Sequence, residues 1–261
     1  MTRPSIFITG AAAGIGLATA ELFAARGWFV GLYDLDEAGV NRLQQRLGAE
    51  HAVAGKLDTT DAAGYAQALE SFARAAGGRL DLLFNNAGIA AVDDFEKLPL
   101  ARHHLVVDVN LKGLINGCYL ALPYLRQTPG ARVISMCSAS AIYGAPSFAV
   151  YSATKFAVRG LTEALNVEWQ RHGVLVMDIM PLFVNTPMVS HFETEARSLK
   201  RMGTHLTAQD IAAAVWKAAL RPRWRAPVHW YPGWQTRLMQ LSNKLSPAFL
   251  NRFMTKQVSG Y

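Results

Sequence analysis

Tyr151 and Lys155 stand four residues apart. On a helix, side chains at that spacing share a face, so an ammonium sits beside a phenol. Such a phenol can exchange a proton with a substrate oxygen. Its ordinary pKa is about 10, so working as a base near neutrality takes about 4 kcal/mol of phenolate stabilisation. The pair occurs by chance on many helices and alone marks a surface pair. A second feature changes its weight. Thr9-Gly10-Ala11-Ala12-Ala13-Gly14-Ile15-Gly16 follows an apolar run and opens a helical pattern. Glycines there let the backbone approach a pyrophosphate, whose charge meets the helix N-terminus. A glycine cluster by itself also serves a purely steric turn. Asp34 ends the next apolar run, at about the 20-residue spacing where a carboxylate accepts the adenosine ribose hydroxyls. A carboxylate there repels a 2′-phosphate, and the glycine loop contains no Lys or Arg, so NAD is expected in preference to NADP. The competing reading makes Asp34 a solvated turn residue, since Leu35-Asp36-Glu37 is also helix-start chemistry.

The spacing G-x-x-x-G-x-G departs from the dinucleotide fingerprint G-x-G-x-x-G and resembles the short-chain dehydrogenase/reductase family in its single-domain branch. The resemblance runs in order from Thr9 to Thr186. Asp58 matches the family's adenine-contacting aspartate, and Asn85-Asn86-Ala87-Gly88 matches its N-N-A-G turn. Asn110 falls on the asparagine that helps hold a proton-relay water. Ser138 and Tyr151-x-x-x-Lys155 match the catalytic residues, and Pro181 with Thr186 matches the segment flanking the nicotinamide. Two departures stand out: Leu182-Phe183 follows Pro181 where the family has glycine, and Cys137-Ser138 replaces a serine doublet.

The resemblance implies an α/β Rossmann fold and hydride transfer between NAD(H) and an alcohol or its ketone or aldehyde. It implies a catalytic set of Asn110, Ser138, Tyr151 and Lys155. Ser138 positions the substrate oxygen, and Lys155 also holds the nicotinamide ribose. The cofactor bed it implies begins with Gly10, Ala12, Gly14, Ile15 and Gly16. It continues with Asp34, Leu35, Leu57 and Asp58, then Asn86, Ala87 and Gly88. Tyr151, Lys155, Pro181, Val184 and Thr186 complete it. A homodimer or homotetramer is expected from the resemblance alone.

In such a fold the crevice lies beyond the carboxyl ends of the strands. Substrate contacts are therefore expected after Ser138, near Pro146–Phe148 and after Pro181. Ile142, Tyr143, Phe148, Leu182, Phe183, Met188 and Phe192 suit a hydrophobic alcohol or ketone alongside Ser138 and Tyr151, although about half should simply pack on the sheet. His191 is the polar candidate. Two other readings are a nucleotide-sensing protein with little turnover and an epimerase or dehydratase of related fold. The first has no use for an acid/base, and the glycine spacing and short C-terminal region disfavour the second. The seven histidines lack metal-ligand spacing and there is no G-x-S-x-G elbow, so neither a metal site nor an esterase is expected.

The elements that must position these residues alternate. Strand-length apolar runs at Ile6–Thr9, Phe29–Tyr33, Ala52–Leu57, Leu80–Phe84, Val133–Met136 and Val174–Met180 are separated by helical patterns, with Val228–Trp230 as a closing edge. Strands buried on both faces and joined by helices predict a doubly wound parallel sheet of about seven strands. No linker or repeat divides the chain, so one domain over residues 1–261 is expected.

Composition agrees. Of the 261 residues, 51% are hydrophobic and 17% charged, enough to fill a core covered on both faces. No leader or membrane-spanning run is evident, and the two cysteines lack CxxC spacing; a cytoplasmic protein is expected. The net charge of +7 equals the count of Lys and Arg from Arg221 onward, where no Asp or Glu occurs. A charge confined to one end argues against nucleic acid. This tail also carries Trp224, Trp230, Trp234, Phe249 and Phe253, with Leu238, Leu241 and Leu245 at helical spacing. Packing on the body or a subunit is the favoured reading, and contact with an anionic membrane the alternative.

Overall fold

The structure is a computed structural model and describes residues 3–190 and 203–260. His191 and Phe192 lie outside the described residues. Seven strands form one parallel sheet: β1 (Ser5–Thr9), β2 (Phe29–Asp34), β3 (Ala52–Lys56), β4 (Leu82–Asn85), β5 (Arg132–Met136), β6 (Leu175–Ile179) and, after a separate two-stranded pairing of β7 (Val184–Asn185) with β8 (Leu206–Thr207), β9 (His229–Trp230). Their order is β3-β2-β1-β4-β5-β6-β9. The chain winds outward from β1 in one direction and from β4 in the other, so a crevice opens between their carboxyl ends.

Alternation along β1 sets the layers. Ile6 and Ile8 face one side, with Phe23 of α1 (Gly14–Ala25), Val40 of α2 (Glu37–Leu47) and Val215 of α8 (Ala208–Leu220). Phe7 faces the other, stacked on Tyr33 with ring centroids 4.3 Å apart and edge-on to Phe72 of α3 (Ala62–Ala75). That second layer also holds Leu114 and Leu125 of α5 (Gly113–Leu125) and Val158 of α6 (Ala149–Glu168). Burial on both faces explains why the strands read as continuous apolar runs. Local signals set several helix starts. Asp36 caps α2 by accepting from the Gly39 N–H at 2.9 Å, Asp61 caps α3 in the same way, and Thr207 with Asp210 forms a capping box on α8.

The helical stretch between β4 and β5 is interrupted. It comprises α4 (Leu100–Val107), a π-helical turn over Asp108–Lys112, and α5. Leu100–Leu125 is apolar and long enough to cross a membrane, and in this fold it is a core helix. The tail forms two helices, α9 (Trp234–Leu245) and α10 (Ala248–Ser259), after the one-turn α7 (Pro187–Ser190) and α8.

Candidate active site

The glycine loop leaves β1 and enters α1 with Gly10 at φ +69° and Gly14 at φ +54°, a region that glycine enters freely. A side chain at Gly10 would meet the Asn86 amide at 2.9 Å and the Ala87 backbone at 3.0 Å. One at Gly16 would fall on the carbonyl oxygen of Gly10. Gly16 and Ala12 do not line the cleft; Gly16 lets α1 pack on the loop, while Gly10, Gly14 and Ile15 do line it. No side chain caps α1, so its first N–H groups remain available to an anion. Asn86 braces the loop by donating to the carbonyls of Thr9 at 2.9 Å and Gly10 at 3.0 Å.

Asp34 ends β2 and lines the same cleft. One carboxylate oxygen accepts the Ala12 N–H at 3.0 Å, and the other accepts the Asp36 N–H at 3.1 Å. The side chain therefore ties β2 to the glycine loop, and two of its roughly four acceptor directions remain for a ligand. Leu35, Leu57, Asp58, Ala87 and Gly88 line the cleft beside it, and Pro181, Val184 and Thr186 form the opposite wall. A glycine cradle, an uncapped helix start and a held carboxylate are the parts a dinucleotide requires, so these residues fit that cofactor.

At the inner end, Ser138 follows β5, while Tyr151 and Lys155 project from one face of α6. The Ser138 oxygen accepts the Ser140 N–H at 3.2 Å, which leaves its proton to donate. Ala139 N–H donates to the Pro181 carbonyl at 2.8 Å, joining the Ser138 loop to the wall after β6. The Lys155 ammonium donates to the Met136 carbonyl at 2.8 Å and lies 5.4 Å from the centre of the Tyr151 ring. Burial pushes the Tyr151 phenol up to about 12, opposed by the Ser138 hydroxyl, and burial draws Lys155 below its usual range. The protein groups by themselves thus hold the phenol protonated. Burial is the largest influence on the phenol, and in this desolvated site it outweighs the lowering expected from the i, i+4 spacing.

Asn110 is buried in the π-helical turn and does not line the cleft. Its amide donates to the Ile89 carbonyl at 2.9 Å and to Thr154 at 3.2 Å, and its oxygen accepts the Ile89 N–H at 2.8 Å. It locks the N-N-A-G turn to α6. The thiols of Cys118 and Cys137 are free and buried, and burial pushes each up to about 12. Neither is a ready nucleophile.

The cleft encloses about 820 Å³. Phe148, Leu182, Phe183 and Met188 line it; Ile142 does not, being buried in the protein. Phe148 lies 6.0 Å from the Tyr151 ring and 6.4 Å from that of Phe183. The sequence reading missed the floor and rim contributed by the tail, where Trp234, Leu238 and Met239 of α9 and Met254 and Val258 of α10 complete the wall. Their helical spacing was visible, but nothing local says which body surface the helices meet.

Residues 4–197 match the family described as short chain dehydrogenase. The chain belongs to that family. It is an oxidoreductase acting on alcohol or ketone substrates. This short-chain dehydrogenase is 32% identical over 191 residues to the oxidoreductase UcpA of Salmonella typhimurium, covering 72% of each chain. It is 32% identical over 212 residues to the cyclohexanol dehydrogenase of Acinetobacter sp., covering 80% of this chain and 84% of that one. Among solved structures it is similar to the 3-ketoacyl-(acyl-carrier-protein) reductase of Brucella melitensis complexed with NADH. That likeness has a TM-score of 0.78 at 27% identity and covers 87% of this chain and 96% of that one. The tail helices of this short-chain dehydrogenase lie beyond its family match.

Proposed function

We propose that this chain is a single-domain NAD(H)-linked dehydrogenase/reductase for a hydrophobic alcohol or its ketone or aldehyde, with Tyr151 as general acid/base. The observation that carries this reading is the convergence of Ser138, Tyr151 and Lys155 on one largely apolar cleft whose other end is a glycine-built anion cradle. NAD(H), when bound, gives or takes the hydride, and the positive charge of its oxidised ring favours phenolate. Ser138 donates to the substrate oxygen and fixes its position. Tyr151 delivers a proton to that oxygen in the reducing direction and removes one in the oxidising direction. Lys155, anchored on Met136, holds positive charge beside the phenol and the ribose. Asn110 acts through the Ile89 backbone as a positioning residue.

NAD is favoured because Asp34 occupies the ribose end, and among the described residues Lys155 is the only Lys or Arg lining the cleft. Among the described residues no cation at that end meets a 2′-phosphate. Phe148, Phe183 and Met188 favour an apolar substrate, as does the similarity to an enzyme named for cyclohexanol. Buried free thiols suit a reducing, cytoplasmic setting. Exposed Ile115 and Tyr119 on α5 and Phe156 on α6 offer apolar surface for homo-oligomer contacts.

A panel of hydrophobic secondary alcohols and ketones, followed by NADH absorbance, tests the reading together with Tyr151→Phe. Native turnover on the panel should vanish in the variant while NADH binding persists. Substantial kcat in Tyr151→Phe rejects the mechanism.

A further inference from the structure

Trp234, Leu238, Met254 and Val258 of the tail helices line the mouth of the cleft and remain exposed, Trp234 at 71% and Leu238 at 57%. Leu241, Leu245, Phe249 and Phe253 are exposed as well and do not line the cleft, Leu245 and Phe249 at 74% each. The pairs Leu241–Leu245 and Phe249–Phe253 are each spaced i, i+4, and Leu241 and Leu245 continue the stripe of Trp234 and Leu238 on α9, so an exposed apolar patch runs from the cleft mouth to the turn that leads into α10. The Asn251 amide donates to the carbonyls of Asn243 and Ser246, each at 3.2 Å, which holds the two helices as a hairpin. Lys244, Arg252 and Lys256 are exposed around the patch.

Charge distinguishes the occupants of this face. Residues 221–261 contain seven Lys and Arg and no Asp or Glu. A two-fold contact between copies brings a patch against itself, here basic against basic around an apolar centre. An anionic lipid surface supplies both the opposite charge and an apolar layer beneath it. We propose that the α9–α10 hairpin seats this chain on an anionic bilayer, with Leu241, Leu245, Phe249 and Phe253 at the acyl boundary and Lys244, Arg252 and Lys256 at the headgroups. The surface contact does not depend on the chemistry assigned to the cleft. Its consequence does rest on that reading: the same hairpin walls the cleft, so a lipophilic substrate leaves the bilayer next to the site that takes it.

Sedimentation of the full chain with phosphatidylcholine vesicles, with and without phosphatidylglycerol, reads the contact. Binding is expected only to the anionic vesicles, and it should weaken at about 1 M salt. The double substitution Phe249→Ser with Phe253→Ser should reduce it at least tenfold. The triple charge reversal Lys244→Glu, Arg252→Glu, Lys256→Glu should reduce it roughly a hundredfold. Because these positions do not line the cleft, thermal melting and NADH binding check that both variants remain folded. Two results overturn the proposal. One is negligible or equal binding of the native chain to both vesicle types. The other is a native dimer in sedimentation velocity that Phe249→Ser with Phe253→Ser dissociates, without vesicle binding, which assigns the face to a second copy.

Discussion

Lys155 donates its ammonium to the carbonyl oxygen of Met136 at 2.8 Å rather than to the phenol of Tyr151, although both residues stand on one face of α6. The bond fixes a buried cation at the end of β5, where the Ser138 loop begins. Its effect on Tyr151 is therefore through space.

Removing that cation should raise the pKa of a phenol that burial already pushes up to about 12. In Lys155→Met the alkaline-side rise in the oxidation rate should move to higher pH. The rate near neutrality should fall roughly a hundredfold or more. A pH profile of kcat/KM identical to that of the native chain would count against Lys155 acting on the proton.

Asp34 offers a test of cofactor choice. Asp34→Ala removes both the acceptor for the ribose hydroxyls and the repulsion of a 2′-phosphate. The NAD-to-NADP ratio of kcat/KM should fall by roughly ten- to a hundredfold, the worth of a hydrogen bond to a charged group. Equal use of both cofactors by the native chain would refute the preference. The variant should also melt lower, because the Ala12 N–H loses its acceptor.

The aromatic wall can be trimmed without touching the proton path. Phe183→Ala removes a ring that lines the cleft beside Phe148. For an apolar ketone KM should rise by roughly tenfold or more, with a smaller change for a short-chain one. A uniform effect on both would place Phe183 in packing rather than in substrate contact.

At the sheet's closing edge, His229 bonds to buried Asp178 at 2.9 Å and to Glu163 at 2.9 Å. Burial works against a charge on His229, but the two carboxylates together raise its pKa above the ordinary value. A raised imidazole pKa contributes stability that is complete below the unfolded value of about 6.5 and is lost as pH rises through the folded value. The melting temperature of the native chain, measured against His229→Gln, should therefore lose its advantage from about pH 6.5 upward. A difference that grows with pH would show that the ring is neutral in the fold.

The strand-and-helix alternation, the glycine loop and the Tyr151–Lys155 pair were all legible from the order of residues. Each is a local pattern: apolar runs of strand length, a turn that only glycine enters freely, and the helical four-residue repeat. Proximity in space was not local. That Gly16 serves the packing of α1, that Asn110 spends its amide on Ile89 and Thr154, and that Ile142 is buried away from the cleft all depend on elements remote in sequence. Lys155 likewise needed β5 beside α6 before its partner could be named. The tail shows the division most clearly. Its charge and helical spacing stand in the sequence, but only the packed fold sets part of α9 and α10 at the cleft mouth and leaves Phe249 and Phe253 exposed away from it. Periodicity specifies a helix and its stripe, whereas the surface that stripe meets is set by long-range burial.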